Sequence, residues 1–233
     1  NQGRLNLKLA VDTNVENMVT RATADEETLP DINDFSIAVL QNNNVQLTWN
    51  RYADFTDGTE IAAGNYTLKA TYGNIETQGF EAPYYEGAKE FSIKKNESTN
   101  ISVICYLANV KVTTEYTELF KKYFTDYTVN IRPAGSTDIS FDKNETRAAY
   151  VKPGKISIYL SGSKQQGNKV TFEAATIENA KARQHYRLKF DVQAGGTELD
   201  VSFTDETERV PITIDISDDA LNTQPPFFTP TGF

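Results

Sequence analysis

The sequence predicts an all-β protein made of two serial antiparallel β-sandwich domains, with one short helix in the second domain. Three observations predict this class. Short runs of alternating apolar and polar residues recur about every 8 to 12 residues, a spacing typical of β-sandwiches. Asparagine, glycine or proline separates many of these runs, as expected for turns between strands. The chain has 233 residues, enough for two domains of roughly 100 residues each.

The first predicted strand is the segment GRLNLKLAV near the start of the chain. Leu5, Leu7, Leu9 and Val11 fall on one face of an extended chain, so this face is expected to be buried. Residues 12–33 are then polar and acidic and contain too few apolar side chains to pack. We therefore predict a half-buried strand followed by a long surface loop.

A hairpin is predicted next, from the segments DFSIAVLQ and VQLTWN. Asn42, Asn43 and Asn44 separate the two segments, and asparagine tolerates the left-handed conformations that tight turns require. Three more strand-like segments follow, namely IAAGNYTLKATYG, AKEFSIKK and TNISVICYL. The only cysteine, Cys105, lies in the last of them and is expected to be a buried apolar side chain without a disulfide partner.

The predicted second domain begins after residue 107. Apolar and aromatic residues recur at helical spacing within 116–124, which predicts one short helix between two strands. Strand-like segments then resume, and the segment ATIENAKARQ fits either a short helical turn or a long hairpin connection. The predicted domains are therefore 1–107 and 108–217, followed at 218–233 by a proline-rich tail or linker.

The charge and hydropathy of the chain argue against a nucleic-acid partner and against a membrane-spanning helix. Asp and Glu number 32 and Lys and Arg number 23, so the net charge is −9. This charge repels the phosphate backbone that dominates nucleic-acid affinity, and we predict no nucleic-acid partner. No apolar run approaches the roughly 20 residues of a membrane-spanning helix.

Two aromatic groups are candidate ligand-binding sites. Tyr84 and Tyr85 lie in GFEAPYYEGAKEF, where their rings would offer faces for stacking on a sugar. Adjacent side chains of an extended segment point in opposite directions, so packing of one tyrosine against the sandwich is the favoured alternative. Trp49, Tyr52 and Phe55 form the second group, for which lining of a surface groove competes with a role in the core or at a sheet edge.

No combination of residues in the sequence predicts a catalytic site, a metal site or a cofactor, so the protein is predicted not to be an enzyme. His185 is the only histidine; without histidine or cysteine partners it has too few ligands for zinc, and it is expected at the surface. The acidic groups at 25–27, 205–208 and 215–219 lack the ligand spacing of an EF-hand and are predicted to be solvated loops. No carboxylate pair stands out for glycoside hydrolysis.

Four segments occur in order along the chain: EIAAGNYTLKATYG, GFEAPYYEGAKEFSI, CYLANVKVTTEYTELFKKYFTDYTVNI and ETRAAYV. Together they resemble a family of Bacteroidetes surface lipoprotein domains of unknown function, which is related to the fimbrillin-like cell-adhesion proteins. The resemblance extends from about Gly3 to Ile216. It implies two transthyretin-like β-sandwiches, export to the cell surface, and anchoring in the outer membrane by a lipid on a cysteine upstream of Asn1.

These observations predict a non-enzymatic structural or adhesion protein of the cell surface, part of a lipid-anchored, fimbrillin-like surface protein. Other surface proteins or glycans are the expected partners, and contact with the membrane is expected only through the upstream lipid anchor. The alternative is a glycan-binding module of a surface polysaccharide-handling system that uses Tyr84, Tyr85 or Trp49.

The resemblance also implies a route to assembly. In fimbrillin-like proteins an arginine-directed protease removes the N-terminal strand, and subunits then exchange strands. By analogy, Arg21 in the polar loop is the candidate processing site, although a solvated loop that happens to contain an exposed arginine is the favoured alternative. The removable segment would then be the strand that carries Leu5, Leu7 and Leu9.

Overall fold

The computed structural model describes residues 1–11, 29–165, 167, 169–192, 199–205 and 208–214. Contacts among these residues divide them into two compact units. Unit 1 consists of residues 1–11, 29–77 and 82–109. Unit 2 consists of residues 78–81 and the described residues from 110 onwards. The predicted tail at 218–233 lies outside the described residues.

The first eight strands come from the first half of the chain. They are β1 (Gln2–Val11), β2 (Ser36–Gln41), β3 (Asn44–Trp49), β4 (Thr59–Ala62), β5 (Gly64–Tyr72), β6 (Gly79–Phe80), β7 (Tyr85–Ile93) and β8 (Ser98–Leu107). All except β6 belong to unit 1, where they hydrogen-bond in the order β3-β2-β5-β7-β8-β1-β4. Two short 3-10 turns occupy Ile32–Asp34 and Tyr52–Asp54.

Strands β7 and β8 of unit 1 are paired over only two positions. Strand β7 pairs with β5 along its whole length, but it pairs with β8 only where Tyr85 faces Leu107 and Glu86 faces Tyr106. Buried apolar side chains occur on both sides of this short junction, including Leu68 of β5 and Val103 of β8, as expected for two layers that share a core. Most residues that alternation predicts to face inward in β1 and β5 are buried, whereas Val11 and Tyr72 at the strand ends are partly buried. The buried ones are Leu5, Leu7, Leu9, Tyr66, Leu68 and Ala70.

The predicted hairpin is confirmed as β2 and β3. Its two-residue turn is formed by Asn42 and Asn43, whose φ angles are 51° and 63°. Positive φ at both central residues gives the twist that suits a two-residue hairpin, and asparagine adopts it at low cost. Trp49 is the last residue of β3.

The remaining elements form unit 2. They are β9 (Val110–Tyr116), α1 (Glu118–Tyr123), β10 (Phe124–Pro133), β11 (Ile139–Asp142), β12 (Ala149–Val151), β13 (Gly154–Lys164), β14 (Lys169–Ala180), β15 (His185–Val192), β16 (Leu199–Asp205) and β17 (Glu208–Ile214). One sheet has the order β11-β10-β13-β14 and the other the order β17-β16-β15-β9-β12-β6. One cluster of buried side chains from both sheets forms the core.

The predicted short helix is confirmed as α1, and it is the only α-helix among the described residues. It begins after Thr117, whose Oγ1 accepts a hydrogen bond from the Phe120 N–H at 3.2 Å. This is a side-chain N-cap, which satisfies a donor that the first turn leaves unpaired. Phe120 is fully buried, so the helix is held by its side-chain packing into the core.

The all-β class is confirmed, but the pairing includes two parallel pairs among the antiparallel ones. Strand β1 runs parallel to β8, and β9 runs parallel to β15. Parallel neighbours need a crossover connection, which alternation within a strand does not report. The segment ATIENAKARQ also differs from both predicted alternatives, because its first six residues extend β14 to Ala180 and the turn occupies only 181–184.

Candidate interaction sites

Tyr85 belongs to the core of unit 1. It is 3% exposed, and its ring lies edge-on to the ring of Phe35 with a centroid distance of 6.3 Å. The neighbouring Tyr84 is only partly buried, as expected where successive side chains of an extended segment point in opposite directions. The two tyrosines therefore do not present their rings side by side on one surface.

Tyr84 is fixed by both its backbone and its hydroxyl group. The backbone N–H donates to Oδ1 of the buried Asn109, and the carbonyl oxygen accepts from the Ala108 N–H at 2.8 Å. The phenol donates to Glu86 Oε2 at 3.1 Å. Partial burial and the nearby Glu86 carboxylate raise the pKa of Tyr84, so the phenol stays protonated at neutral pH. Stacking of Tyr84 on a ligand stays a prediction.

Trp49, Phe55 and Tyr52 are brought together, as their spacing suggested. The Trp49 and Phe55 rings meet edge to face with centroids 5.1 Å apart, and Phe55 stacks on Tyr52 at 6.5 Å. The Tyr52 hydroxyl donates to the carbonyl oxygen of Leu7 at 2.8 Å, which ties this cluster to β1. All three rings are partly exposed, and their use in ligand stacking stays a prediction.

Strand β1 is inserted between two other strands over part of its length. It pairs with β8 from Arg4 to Val11, whereas β4 covers only its first residues. Beyond β4, the Leu7 N–H donates to Asp57 Oδ1 at 3.0 Å. Three of the four predicted inward residues are almost fully buried, with exposed fractions of 0% for Leu5, 5% for Leu7 and 5% for Leu9, and Val11 is partly buried. The candidate processing residue Arg21 lies outside the described residues.

His185 is less exposed than the sequence suggested. It is partly buried at the start of β15, and its Nε2 lies 2.9 Å from Thr113 Oγ1. Burial, with smaller contributions from the positive charges of Lys111 and Arg187, lowers the pKa of His185 to about 3. The imidazole is therefore neutral at physiological pH and packs as a polar side chain of the sheet.

In the described part of the chain, no group of three or more histidine, cysteine, aspartate or glutamate residues is placed to hold a metal ion. Two of the acidic segments, 25–27 and 215–219, lie outside that part. No helix among the described residues has the length and apolar character needed to cross a membrane.

Cys105 is expected to resist thiol reagents in the folded protein. It is fully buried in β8, and burial raises the pKa of its thiol to about 11, so the reactive thiolate is scarce at mildly alkaline pH. Labelling with iodoacetamide, followed by mass spectrometry, should be slow in buffer and complete within minutes in concentrated guanidinium chloride. Equal rates in the two conditions would contradict the buried position.

The structure also brings together residues that no sequence pattern singled out. They line a cleft of about 530 Å³ on the face of unit 1 that lies opposite the buried side of β5 and β7. Some of these residues belong to the predicted asparagine turn, and the others are outward polar residues of alternating strands. They lie up to fifty positions apart along the chain, so no local pattern groups them. The polar side chains at the cleft are Asn42, Asn43, Asn65, Thr67, Glu90 and Ser92.

Comparison with known proteins gives one family and a shared fold. The family model described as a domain of unknown function (DUF4493) matches residues 1–218. A fimbrial assembly protein from Parabacteroides distasonis aligns over 92% of this chain and 100% of its own, with 12% identity and a TM-score of 0.57. A provisionally named cell adhesion protein from Bacteroides uniformis aligns over 93% and 98%, with 12% identity and a TM-score of 0.51. No curated protein matches the sequence.

Proposed function

We propose, from the premise that the chain belongs to the DUF4493 family of domains of unknown function, that it is a non-enzymatic cell-surface protein that serves adhesion or surface assembly. The observation that carries the proposal is the shared fold with a fimbrial assembly protein, which covers 92% of this chain and 100% of the other. Because fold alone does not fix function, the decisive experiment concerns the strand that assembly would use.

The finer form of the proposal is a lipid-anchored, fimbrillin-like surface protein, with the anchor upstream of Asn1. Protease shaving of intact cells that express the full precursor tests this location. The protein should be degraded by external protease and should partition with outer-membrane lipids after lysis. Protection from external protease in intact cells, together with recovery in the aqueous fraction, would contradict it.

Strand β1 supports an assembly role because its removal would leave a vacant place in a sheet. Its inward leucines pack beside Ile101 and Val103 of the parallel neighbour β8, and both of these residues are buried. Taking the strand away would expose that apolar row and the unpaired backbone groups of β8. A strand from a second copy is able to fill such a groove, because main-chain hydrogen bonds supply the affinity and alternate side chains supply the fit.

Cleavage after Arg21 is therefore expected to convert the monomer into a series of oligomers. The measurement is molar mass by light scattering before and after brief treatment with an arginine-specific protease, with the cut site read by mass spectrometry. The matched control is Arg21→Gln, which should remain monomeric under the same treatment because the strand stays attached. A wild-type chain that is cut at Arg21 and keeps its monomeric mass would contradict strand exchange.

A further inference from the structure

The cleft on unit 1, hereafter the outer cleft, lies across three neighbouring strands beside the asparagine turn. Its volume of about 530 Å³ falls within the range of small-molecule sites. One row of residues crosses the sheet there, because Leu40 of β2 faces Thr67 of β5, and Thr67 faces Glu90 of β7. A second row, of Asn65 and Ser92, runs beside it.

A β-bulge in the hairpin determines which side chain of β3 lies beside the outer cleft. Val39 faces Leu47, whereas the next residue, Leu40, faces Val45, so β3 has one extra residue at this point. The bulge reverses the inward and outward positions beyond it. Val39 is fully buried, while Val45 is 59% exposed. Without the extra residue, Val45 would share the inner face with Leu47.

The bulge therefore places Val45 on the outer face, beside Leu40, which already points outward through the regular alternation of β2. Val45 is one of only three large apolar side chains that are exposed among the described residues. Bulges are frequent beside functional sites, where they redirect a side chain. Leu40 lines the outer cleft, and Val45, which lies outside the lining, is the partner of Leu40 on the neighbouring strand. This aliphatic pair therefore extends an apolar border outward from the edge of the cleft.

The polar side of the outer cleft is rich in donors and acceptors for hydroxyl groups. Ser92 Oγ donates to Asn65 Oδ1 at 2.6 Å. This bond orients the Asn65 amide and occupies only its acceptor, so the Nδ2 hydrogens stay available as donors. The amides of Asn42 and Asn43 and the carboxylate of Glu90 add further groups of both kinds.

The charge of the outer cleft selects against anionic ligands. Its lining contains one carboxylate, Glu90, and no cationic side chain. The net charge of the chain is −9, which adds to the repulsion of anions. A neutral, hydroxyl-rich ligand with an apolar ring face matches this combination, because it contacts the aliphatic border with its C–H groups and the polar rows with its hydroxyls.

We propose that the outer cleft is a binding site for a neutral carbohydrate of one or two sugar units. The site goes beyond the surface role proposed above, because sugar binding by the purified chain depends neither on display nor on strand exchange. A negative result in the sugar-binding experiment is therefore distinguishable from a negative result in the experiments on surface display and strand exchange. Tyr84 and Trp49 do not line this cleft.

The test is saturation-transfer NMR and calorimetry on the 233-residue chain with maltose, cellobiose, lactose and mannobiose as probes. At least one disaccharide should bind. Asn65→Ala removes the oriented amide and Val45→Asp places a charge on the apolar border, so each should weaken binding about tenfold or more. Glu60→Gln on β4 changes an exposed carboxylate outside the cleft and should bind as the wild type does.

Thermal unfolding followed by circular dichroism checks that each variant is folded. Both substitutions are at exposed positions and should leave the unfolding midpoint almost unchanged. Three results would overturn the proposal: no binding of any probe by the wild type, wild-type affinity in both Asn65→Ala and Val45→Asp, or loss of binding in Trp49→Ala instead. The last result would assign the sugar to the aromatic cluster.

Discussion

Replacing Phe120 by alanine is expected to lower the free energy of unfolding of unit 2 by about 3–5 kcal/mol, the usual cost of removing a buried aromatic ring. Phe120 is 0% exposed. Its ring centroid lies 4.8 to 5.8 Å from the centroids of four other rings, those of Tyr116, Phe124, Tyr127 and Phe190. Those rings belong to three strands, so the cavity would open at the point where they converge.

Helix α1 has no independent stability with which to offset this loss. It contains six residues, fewer than an isolated helix needs in water, and Phe120 is its only buried side chain. The substitution should therefore release the helix together with the ring. Backbone amides of α1 and β10 are expected to lose protection from hydrogen exchange before those of the other strands.

The matched control for this prediction is Leu119→Ala. Leu119 is the neighbouring residue of the same helix and is 51% exposed, so its truncation should change stability by no more than about 0.5 kcal/mol. Urea unfolding followed by circular dichroism, with hydrogen exchange read by mass spectrometry, compares the two variants. Similar losses in both would show that the ring cluster is not what holds α1.

Replacing Gly87 by alanine is expected to destabilise unit 1 by about 1–3 kcal/mol, the usual cost of overpacking. A Cβ atom at this position would lie 2.4 Å from the carbonyl oxygen of Ile104 and 3.0 Å from the Sγ of Cys105. The first of these is a backbone atom, which is unable to rotate away as a side chain does. Strands β7 and β8 would have to separate next to the short junction of the two layers.

The single tryptophan makes this prediction directly measurable. Trp49 belongs to unit 1, so the urea midpoint of its fluorescence reports the unfolding of that unit. Ala88→Ser, at the adjacent exposed position, is the control and should shift the midpoint little. Faster labelling of Cys105 in Gly87→Ala would support separation of the strands. An unchanged midpoint with unchanged labelling would contradict it.

Local patterns determined much of this architecture. The three asparagines predicted the hairpin because a two-residue turn needs positive φ, and that requirement depends on the turn alone. The leucines of β1 and the alternation in β5 predicted which face is buried, because the strand period of two is a local property. Helical spacing predicted α1 in the same way. The shared feature of these successes is that each signal and its consequence lie within about ten residues.

The tertiary structure decided which strands are neighbours. The Asn6 amide donates to Asn100 Oδ1 at 2.6 Å across 94 residues, in a parallel pair that alternation did not predict. Alternation gives the buried face of a strand, whereas its partner depends on chain connections that fold through space. The small segment 78–81 joins unit 2 for the same reason, through hydrogen bonds between β6 and β12.

The same difference between local patterns and long-range contacts applies to the candidate sites. From the sequence alone, Tyr84, Tyr85 and Trp49 stood out as aromatic residues, but only packing showed that Tyr85 is a core residue. The sequence did not reveal the outer cleft, because its polar residues come from two strands and a turn, and the outward position of Val45 depends on one extra residue in β3. A bulge of one residue moves the side chains beyond it in the same strand to the opposite face of the sheet. A sequence pattern does not reveal where such an extra residue interrupts the pairing. The sequence by itself determined the strand faces, the turn and the helix, and the tertiary structure decided the pairing and the sites, since these depend on contacts between distant residues.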